Sequence, residues 1–418
     1  MTPTVSLIIV SLGRPDHLRN LIGALRYQTH PAFEVVVVAD AELDPQPGLL
    51  QRQFAEANIS KARNIGLSMA SGAIVAFCDD DAIPDPLWLE RLTAPFSDAR
   101  VGYAGGLTRG PDGVRMQHGL YRMDSYGNTE RTVAPGGIFE PELGHFYAAT
   151  GVNCAFRASA LRDIGGYDEN YRYYLEDSDV CIRLANAGWT MAYVPEAQMQ
   201  HFSAPSSNRD EKGQTYLHEI AASKAYFCSQ HAGGDISAAL TDFRNDQHKA
   251  FLKRKRKRDR DFIAERLGEI KSGFCDGKKR VRAATRIIRP DTAAQTTFAA
   301  ASLPHVLLAG FKRDEAALCS KAQECAKQGQ VVTVLVAGIG FHRLRCEYAG
   351  AGIWVHRGGL FGKMRPNGPA AAARTLRRFV MNEIARLEEF RPVQHVEPPT
   401  LVRPGSFGLA PARTSRIG

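Results

Sequence analysis

The sequence predicts an α/β fold built on a doubly wound sheet, and two kinds of pattern support this prediction. Three apolar runs, at residues 5–12, 33–40 and 73–80, have the length and the β-branched composition of parallel strands buried on both faces. Between these runs, residues 18–25 and 62–69 place apolar side chains at helical spacing. Alternating strands and helices are typical of a sheet that is covered by helices on both faces.

Polar residues follow each of the three predicted strands. Ser11 and Asp40 end the first two runs, and the triplet Asp79 to Asp81 ends the third. In doubly wound sheets, ligands bind beyond the carboxyl ends of the strands. These residues are therefore the first candidates for a functional site.

Length, charge and cysteine content limit the class of protein. A chain of 418 residues, of which 44% are hydrophobic and 23% charged, is too long for a single average domain. Its formal net charge is +9, and six consecutive basic residues run from Lys253 to Arg258. The eight cysteines form no CxxC pair, so we expect reduced, mostly structural thiols. No window reaches the roughly 18 apolar residues that would span a bilayer, so we expect a cytoplasmic protein, soluble or peripheral on the inner membrane face.

The patterns divide the chain into four predicted segments. We expect a main α/β domain over residues 1–230, a basic helical linker over 231–300, a small Rossmann-like α/β unit over 301–392 and a mobile tail over 393–418. The small unit is predicted from three further apolar runs, at residues 305–310, 331–338 and 352–357.

The acidic triplet is the most informative motif. Three adjacent carboxylates repel one another unless a cation neutralises them, and solvent screens poorly beside a buried strand. Residues i and i+2 of an extended backbone face the same way, so Asp79 and Asp81 can approach one divalent cation while Asp80 points elsewhere. The alternative is an acidic turn before a helix that starts near Pro86, with Asp85 as its cap. We favour the metal site.

A second acidic pair, Glu176 and Asp177, stands at the start of a helix predicted over residues 177–187. The free N–H groups and the dipole at this end of a helix favour carboxylates, so simple capping is the alternative to a catalytic role. His201 follows a strand predicted at residues 190–194, and a lone histidine is more often structural than a ligand.

Taken in order, these segments resemble the family 2 glycosyltransferases of the GT-A fold, over residues 4–205. The matching segments are SLIIVSLGRPDHLRNLIGAL, VVVVAD, ISKARNIGLSMASGAIVAFCDDDAIPDPLWLERL and GVNCAFRASALRDIGGYDENYRYYLEDSDVCIRLANAGW, followed by His201. The resemblance implies a GT-A type mixed sheet, the nucleotide-diphospho-sugar transferase fold. It also implies transfer of a sugar from a nucleotide-sugar donor to an acceptor hydroxyl in polysaccharide or glycolipid biosynthesis.

The resemblance further implies a role for each candidate residue. Asp79 and Asp81 become the DxD pair that holds Mg²⁺ or Mn²⁺, with His201 as a further metal ligand. Asp177 becomes the general base, and Glu176 lies on the acceptor side. One metal site and one base imply direct displacement with inversion. The residues implied to contact the donor and its nucleotide are Ser11, Asp40, Arg63 and Asp80.

The implied partners are the nucleotide-sugar donor and a glycan or lipid-linked acceptor. The run from Lys253 to Arg258 can bind anionic lipid head groups, contact nucleic acid or form a solvated helix face. We favour contact with an anionic membrane and expect no nucleic acid. Residues 301–392 resemble the opening part of a GT-B half. Because Gly338-Ile339-Gly340 lacks the third glycine of a dinucleotide fingerprint, we expect a docking or oligomerisation module there.

Two other functions remain open at this point. A non-catalytic nucleotide-sugar binding module of a larger assembly would keep the same donor contacts, although the complete set Asp79, Asp81 and Asp177 favours an enzyme. A nucleotidyltransferase also uses an α/β sheet and a metal ion. It is disfavoured because no Gly-rich phosphate loop with a basic residue lies near the first strand.

Overall fold

The structure is a computed structural model that describes residues 4–204, 215–253, 260–283, 297–365 and 373–397. These residues belong to two compact units. The first unit extends to residue 302 without residues 112–114, and the second unit contains those three residues and the chain from Leu303 onward.

The first unit carries the predicted α/β pattern. Its strands are β1 (Val5–Ser11), β2 (Phe33–Ala39), β3 (Leu49–Gln53), β4 (Ile74–Asp79), β5 (Ala82–Pro84), β6 (Val101–Arg109), β7 (Met116–His118), β8 (Leu120–Asp124), β9 (Thr129–Thr132), β10 (Gly137–Phe139), β11 (His145–Ala148), β12 (Asn153–Arg157) and β13 (Thr190–His201). Its helices are α1 (Pro15–Leu25), α2 (Ile59–Met69), α3 (Trp88–Thr93), α4 (Ala158–Asp163), α5 (Glu176–Asn186), α6 (His218–His231), α7 (Ser237–Lys253) and α8 (Arg260–Gly277).

The main sheet is mixed, with the strand order β10-β13-β6-β12-β4-β1-β2-β3. Strands β4, β1, β2 and β3 are parallel, whereas β12 runs antiparallel to both β4 and β6. In the parallel part Ser11 lies opposite Ala39, and Val10 lies opposite Asp79. The predicted α/β class is confirmed, and the ends of its first three apolar strands share one edge.

Apolar side chains of β1 alternate between two cores on opposite faces of this sheet. Leu7 and Ile9 pack in the core that includes α1, and Ile8 packs in the core that includes Phe77. Helix α2 lies so close to β1 that a Cβ atom on Gly66 would lie 2.5 Å from Cγ2 of Ile8. A glycine is therefore needed where this helix crosses the strand.

The capping interpretation of the acidic triplet is wrong. The following helix, α3, begins at Trp88 and has no side-chain cap. The carboxylate of Asp85 instead forms a buried ion pair with Arg109. Asp85 takes part in starting the helix only through its main-chain oxygen, which accepts from the Trp88 N–H at 2.9 Å.

The helical region after β13 packs back on the first unit. Helix α8 lies against α6 closely enough that a Cβ on Gly277 would lie 2.1 Å from the main-chain oxygen of Ala222. Farther along the chain, Phe298 N donates to Phe33 O at 2.7 Å and adds its main chain to the start of β2. Residues 231–300, which were expected to form a linker, thus contribute to the first unit. Residues 254–258 of the basic run lie outside the described residues.

The second unit has a five-stranded sheet of its own, in the order β16-β17-β15-β14-β18. All neighbouring strands are parallel except β16, which runs antiparallel to β17. The strands are β14 (His305–Phe311), β15 (Val331–Gly338), β16 (Arg345–Gly350), β17 (Ile353–Gly359) and β18 (His395–Glu397), with helices α9 (Glu315–Lys327) and α10 (Leu376–Leu387). Strand β18 lies in the stretch expected to be a mobile tail, whose residues 398–418 are not among those described.

None of the described helices combines the length and the apolar composition needed to cross a bilayer.

The close crossing of α2 and β1 gives a test of the packing. We expect Gly66→Ala to destabilise the first unit by about 1–3 kcal/mol, because the added methyl group overpacks against Ile8. Gly23→Ala on α1 is the matched control. A Cβ atom there meets nothing within 4 Å, so this change should be neutral or stabilising by up to about 1 kcal/mol. Thermal denaturation of the two variants measures the difference, and equal melting temperatures would contradict the close crossing.

Candidate active site

A cleft of about 410 Å³ opens at the carboxyl ends of the parallel strands of the first unit. Side chains from β1, from the turn after β4 and from the end of β13 contribute to its lining. The ionisable and hydroxyl groups from these three places are Ser11, Arg14, Asp79, Asp81 and His201. The cleft therefore lies where the sequence placed the candidate site.

Asp79, Asp81 and His201 form a cluster in which one ligand atom of each lies within 4.8 Å of the others. The short strand β5 pairs with β13 so that Ala82 lies opposite His201, which brings the histidine beside Asp81. The Ala204 N–H also donates to Asp81 Oδ2 at 2.8 Å. Backbone pairing thus joins residues that are far apart along the chain.

The donor atoms of this cluster fit a divalent cation. Nε2 of His201 lies 3.1 Å from Oδ1 of Asp81, and this buried oxygen makes no well-aligned hydrogen bond to the described residues. Asp79 is half-buried and lines the same cleft. Two carboxylates and an imidazole suit Mg²⁺ or Mn²⁺.

Arg14 is a site residue that the sequence analysis missed. Its guanidinium lies 2.6 Å from Asp80 Oδ1 and 2.9 Å from Asp81 Oδ2. The hydroxyl of Ser11 donates to the other oxygen of Asp80 at 2.5 Å. Asp80 is consequently buried between Ser11 and Arg14 and is not part of the cleft lining. Arg14 follows β1 just as Ser11 does, and that position was the available signal.

The neighbouring carboxyls of the triplet have opposite pKa shifts. Burial raises the pKa of Asp80 to about 7, and this effect outweighs the nearby charge of Arg14. Burial also opposes the ionisation of Asp81, but the imidazole of His201, 3.1 Å from its Oδ1, and the charge of Arg14 lower the pKa of Asp81 to about 2. Asp81 is therefore an anion at neutral pH, as a metal ligand must be.

Arg63 is buried beneath the cleft. Its guanidinium lies 2.9 Å from Glu176 Oε1 and 3.7 Å from Asp79 Oδ1. It also stacks on the rings of Phe77 and Tyr167, at 5.6 and 5.2 Å from their centroids. Arg63 thus links the candidate metal cluster to the first turn of α5 and is not itself in the cleft lining.

Glu176 and Asp177 have different surroundings although they are adjacent. Glu176 is 7% exposed and faces Arg63, and burial together with the neighbouring Asp177 raises its pKa to about 7. Asp177 is half-buried, and its two oxygens accept from the N–H groups of Gly151 at 2.8 Å and Ser178 at 2.7 Å. These two donors fix the orientation of the Asp177 carboxylate.

The turn that presents Asp177 has a rare backbone conformation. Tyr174 and Leu175, which immediately precede α5, have φ angles of 73° and 67°. Non-glycine residues in the left-handed region are strained and are concentrated at functional sites. Helix α5 begins at Glu176, one residue before the predicted start.

Asp40 lies at the same edge but outside the cleft lining. It is exposed, and both of its carboxylate oxygens lie 3.0 Å from the donating N–H of Gly13. In this structure Asp40 fixes the loop after β1, in which Arg14 also lies.

Gln117 is a second residue that the sequence analysis missed. Its Oε1 lies 3.2 Å from Nδ1 of His201, and its Nε2 donates to the hydroxyl of Ser203 at 3.3 Å. This arrangement places a hydrogen-bond acceptor at Nδ1, so Nδ1 can carry a proton while Nε2 faces Asp81. Local sequence gave no signal for this contact, because Gln117 lies in the three-residue strand β7, which is too short to show a periodic pattern.

Comparisons with known proteins identify the family of the segment that carries this site. Residues 3–215 match the family described as "Glycosyltransferase like family 2". The O-antigen biosynthesis protein RfbC of Myxococcus xanthus is 25% identical over 229 residues, which cover 50% of this chain and 18% of that protein. The N-acetylglucosaminyl-diphospho-decaprenol L-rhamnosyltransferase of Mycobacterium tuberculosis is 25% identical over 267 residues, covering 56% of this chain and 87% of that protein.

A further relative is the pre-mycofactocin glycosyltransferase of Mycobacterium tuberculosis, which is 31% identical over 212 residues. Those residues cover 47% of this chain and 42% of that protein. The chain thus spans less than half the length of two of these three relatives.

The family match includes the candidate metal cluster and Asp177. It begins before Ser11 and ends after His201, and it contains the cleft lining except Glu219. It also spans half of the chain, and the resemblance inferred from the sequence is confirmed. The chain belongs to glycosyltransferase family 2.

Proposed function

We propose that this chain is an inverting, metal-dependent glycosyltransferase that moves a sugar from a nucleotide-sugar donor to an acceptor hydroxyl. The observation that carries the proposal is the cluster of Asp79, Asp81 and His201 at the cleft, within 4.8 Å of one another. The chain's membership of glycosyltransferase family 2 supports sugar transfer as the reaction.

In this proposal Asp79, Asp81 and His201 hold Mg²⁺ or Mn²⁺ against the donor diphosphate. The bound cation would neutralise the negative charge that develops on the leaving nucleoside diphosphate. Arg14 keeps Asp81 ionised and ready to bind, since its guanidinium lies 2.9 Å from Asp81 Oδ2. The edge of the sheet on which the donor would lie is stabilised by Ser11, Asp40, Arg63 and Asp80.

Asp177 is the proposed general base. Its carboxylate lies in the first turn of α5 and is held in place by two main-chain N–H groups. It would accept the proton of the acceptor hydroxyl as that oxygen attacks the sugar. One displacement by one nucleophile inverts the configuration at the sugar carbon. Glu176 would position the acceptor side indirectly, because its own partner is Arg63.

The acceptor we propose is a glycan or a lipid-linked sugar in polysaccharide or glycolipid biosynthesis. Two relatives support this class by their names, which state O-antigen biosynthesis and a diphospho-decaprenol-linked acceptor. Contact of Lys253 to Arg258 with an anionic membrane stays a prediction, since residues 254–258 are outside the described chain.

The alternative is a non-catalytic module that binds the nucleotide sugar. Such a module would retain nucleotide and metal binding but would release no nucleoside diphosphate. Donor hydrolysis and transfer, assayed with and without Mn²⁺, separate the two functions. Product release that depends on Mn²⁺ supports the enzyme, and binding without release supports the module.

The metal cluster gives the first test of the proposed function. Asp81→Asn should lower donor turnover strongly and weaken Mn²⁺ binding, because the variant loses an anionic ligand. Asp16→Asn on α1 is the control, since the side chain of Asp16 is 95% exposed. Isothermal titration with Mn²⁺ and circular dichroism distinguish lost binding from lost folding. Wild-type Mn²⁺ affinity in Asp81→Asn would remove Asp81 from the metal site.

Asp177 gives the second test. Asp177→Asn should reduce transfer by about 10²- to 10⁴-fold, the usual contribution of a general base. Donor and Mn²⁺ affinity should change little, because Asp177 is not part of the metal cluster. Glu176→Gln should chiefly lower the melting temperature, because it weakens the buried pair with Arg63. Near-normal transfer by Asp177→Asn together with lost transfer by a folded Glu176→Gln would make the glutamate the base.

Gln117 gives the third test, as a positioning residue. Gln117→Leu removes the acceptor for Nδ1 of His201 and should weaken Mn²⁺ binding by about 10- to 100-fold. Gln117→Glu keeps an acceptor at the same place and should restore most of the affinity. Titration with Mn²⁺ measures both variants. Equal affinities in Gln117→Leu and the parent protein would show that the tautomer of His201 does not depend on Gln117.

A further inference from the structure

The second unit exposes two large apolar side chains at one tip of its sheet. Ile339 is 84% exposed and Phe341 is 77% exposed. Both lie in the loop that follows β15, with Gly340 between them. Single exposed apolar residues are ordinary, but two together form a patch that needs an explanation.

The backbone of this loop is held firmly by the loop after β17. A Cβ atom on Gly359 would lie 2.2 Å from Gly340 O, and one on Gly362 would lie 1.8 Å from His342 O. The two main chains are therefore in direct contact, and the loop presents its apolar pair on a fixed backbone. The hydrogen bonds that join the loops are Leu360 N to Gly338 O (2.9 Å), Phe361 N to Gly340 O (3.0 Å), Gly359 N to His342 O (2.9 Å) and Leu344 N to Lys363 O (3.0 Å).

Basic residues surround this tip. Strands β14, β15 and β17 are parallel, so the loops after them share one edge. Arg374 N donates to Leu360 O at 2.9 Å, which places the start of α10 at the same edge. We define the basic apolar edge as Ile339 and Phe341 with these cationic residues: Lys312, Arg313, Arg343, Arg345, Lys363, Arg365, Arg374, Arg377 and Arg378.

The positive charge of the basic apolar edge is mostly unopposed. Among residues 311–315, 339–345, 359–365 and 374–378, the acidic residues are Asp314 and Glu315. Asp314 lies 3.7 Å from Arg313, and Glu315 lies 2.7 Å from Arg357. Both carboxylates therefore already have cationic neighbours.

We propose that the basic apolar edge binds an anionic phospholipid surface. Ile339 and Phe341 enter the boundary between head groups and acyl chains, and the surrounding cations bind the lipid phosphates. Charge complementarity identifies the partner as anionic, and the aliphatic Ile339 fits hydrocarbon. A single nucleic acid strand fits less well, because such binding uses successive aromatic platforms, whereas Phe361 is only half-exposed beside Phe341. The inference concerns the second unit and does not depend on sugar transfer.

Vesicle binding of the full chain tests the proposal. We expect binding to phosphatidylcholine vesicles that contain phosphatidylglycerol, weaker binding at high salt, and little binding to phosphatidylcholine alone. The double variant Ile339→Ser/Phe341→Ser should bind at least about tenfold more weakly, since it loses the apolar insertion. Val133→Ser/Leu143→Ser is the matched control. These residues of the first unit are 89% and 102% exposed, and their replacement should leave binding unchanged.

The basic run is the other cationic candidate, and a second variant separates the two. When Lys253 to Arg258 are replaced by glutamine, the protein should still bind anionic vesicles. Adding Ile339→Ser/Phe341→Ser to that variant should still weaken the binding. Binding that disappears in the glutamine variant and is unaffected in the apolar variant would overturn the proposal. So would equal binding to neutral and anionic vesicles by the parent protein.

Fluorescence locates the contact directly. Of the three native tryptophans, Trp88 and Trp354 are buried and Trp189 is half-buried. Measured against the parent protein, Phe341→Trp therefore adds an exposed reporter at the tip. Its emission should shift to shorter wavelength with anionic vesicles and be quenched by brominated lipid. No shift with vesicles would overturn the proposal. A shift produced by a single-stranded oligonucleotide, or by self-association of the chain, but not by vesicles would assign the edge to that partner.

Discussion

The buried guanidinium of Arg63 is the interaction on which the geometry of the first unit depends most. It lies between Glu176 at 2.9 Å and Asp79 at 3.7 Å, with the rings of Phe77 and Tyr167 against its face. One buried cation therefore fixes the end of β4 relative to the first turn of α5. A buried ion pair that loses one partner leaves an uncompensated charge, which costs about 3–5 kcal/mol. The metal cluster and the proposed base are held in register by this single charge.

A second arginine, Arg14, neutralises part of the negative charge of the acidic triplet. Arg14 contacts both Asp80 and Asp81, so the protein itself supplies part of the positive charge that three adjacent carboxylates require. Three adjacent carboxylates therefore do not by themselves require a metal ion, because cations elsewhere in the chain can neutralise them. Only Asp79 and Asp81 of the triplet line the cleft. Arg14 pairs with the middle carboxylate and with one oxygen of Asp81, while Asp79 and Asp81 still face the cleft.

Sequence patterns predicted the strands and the side-chain directions that depend only on neighbouring residues of the chain. Strands β1, β2 and β4 are buried on both faces and therefore read as continuous apolar runs, and the i, i+2 rule separated Asp80 from its neighbours. Strand β16 was not predicted, although its alternation of exposed and buried residues is the pattern of a half-buried strand. The contacts of Arg14 and Gln117, and the pair of Asp85 with Arg109, join residues that are distant along the chain. No periodicity or spacing encodes such pairings, so they could be found only in the folded structure.

The position of β13 in the sheet also decides when the protein can fold during synthesis. This strand is inserted between β10 and β6, and it delivers His201 to residues made more than a hundred positions earlier. The first unit also requires Phe298 to reach the start of β2. Such non-local pairings close large loops and slow folding. At a translation rate of about 5–20 residues per second, the nascent chain must wait many seconds with its acidic edge incomplete.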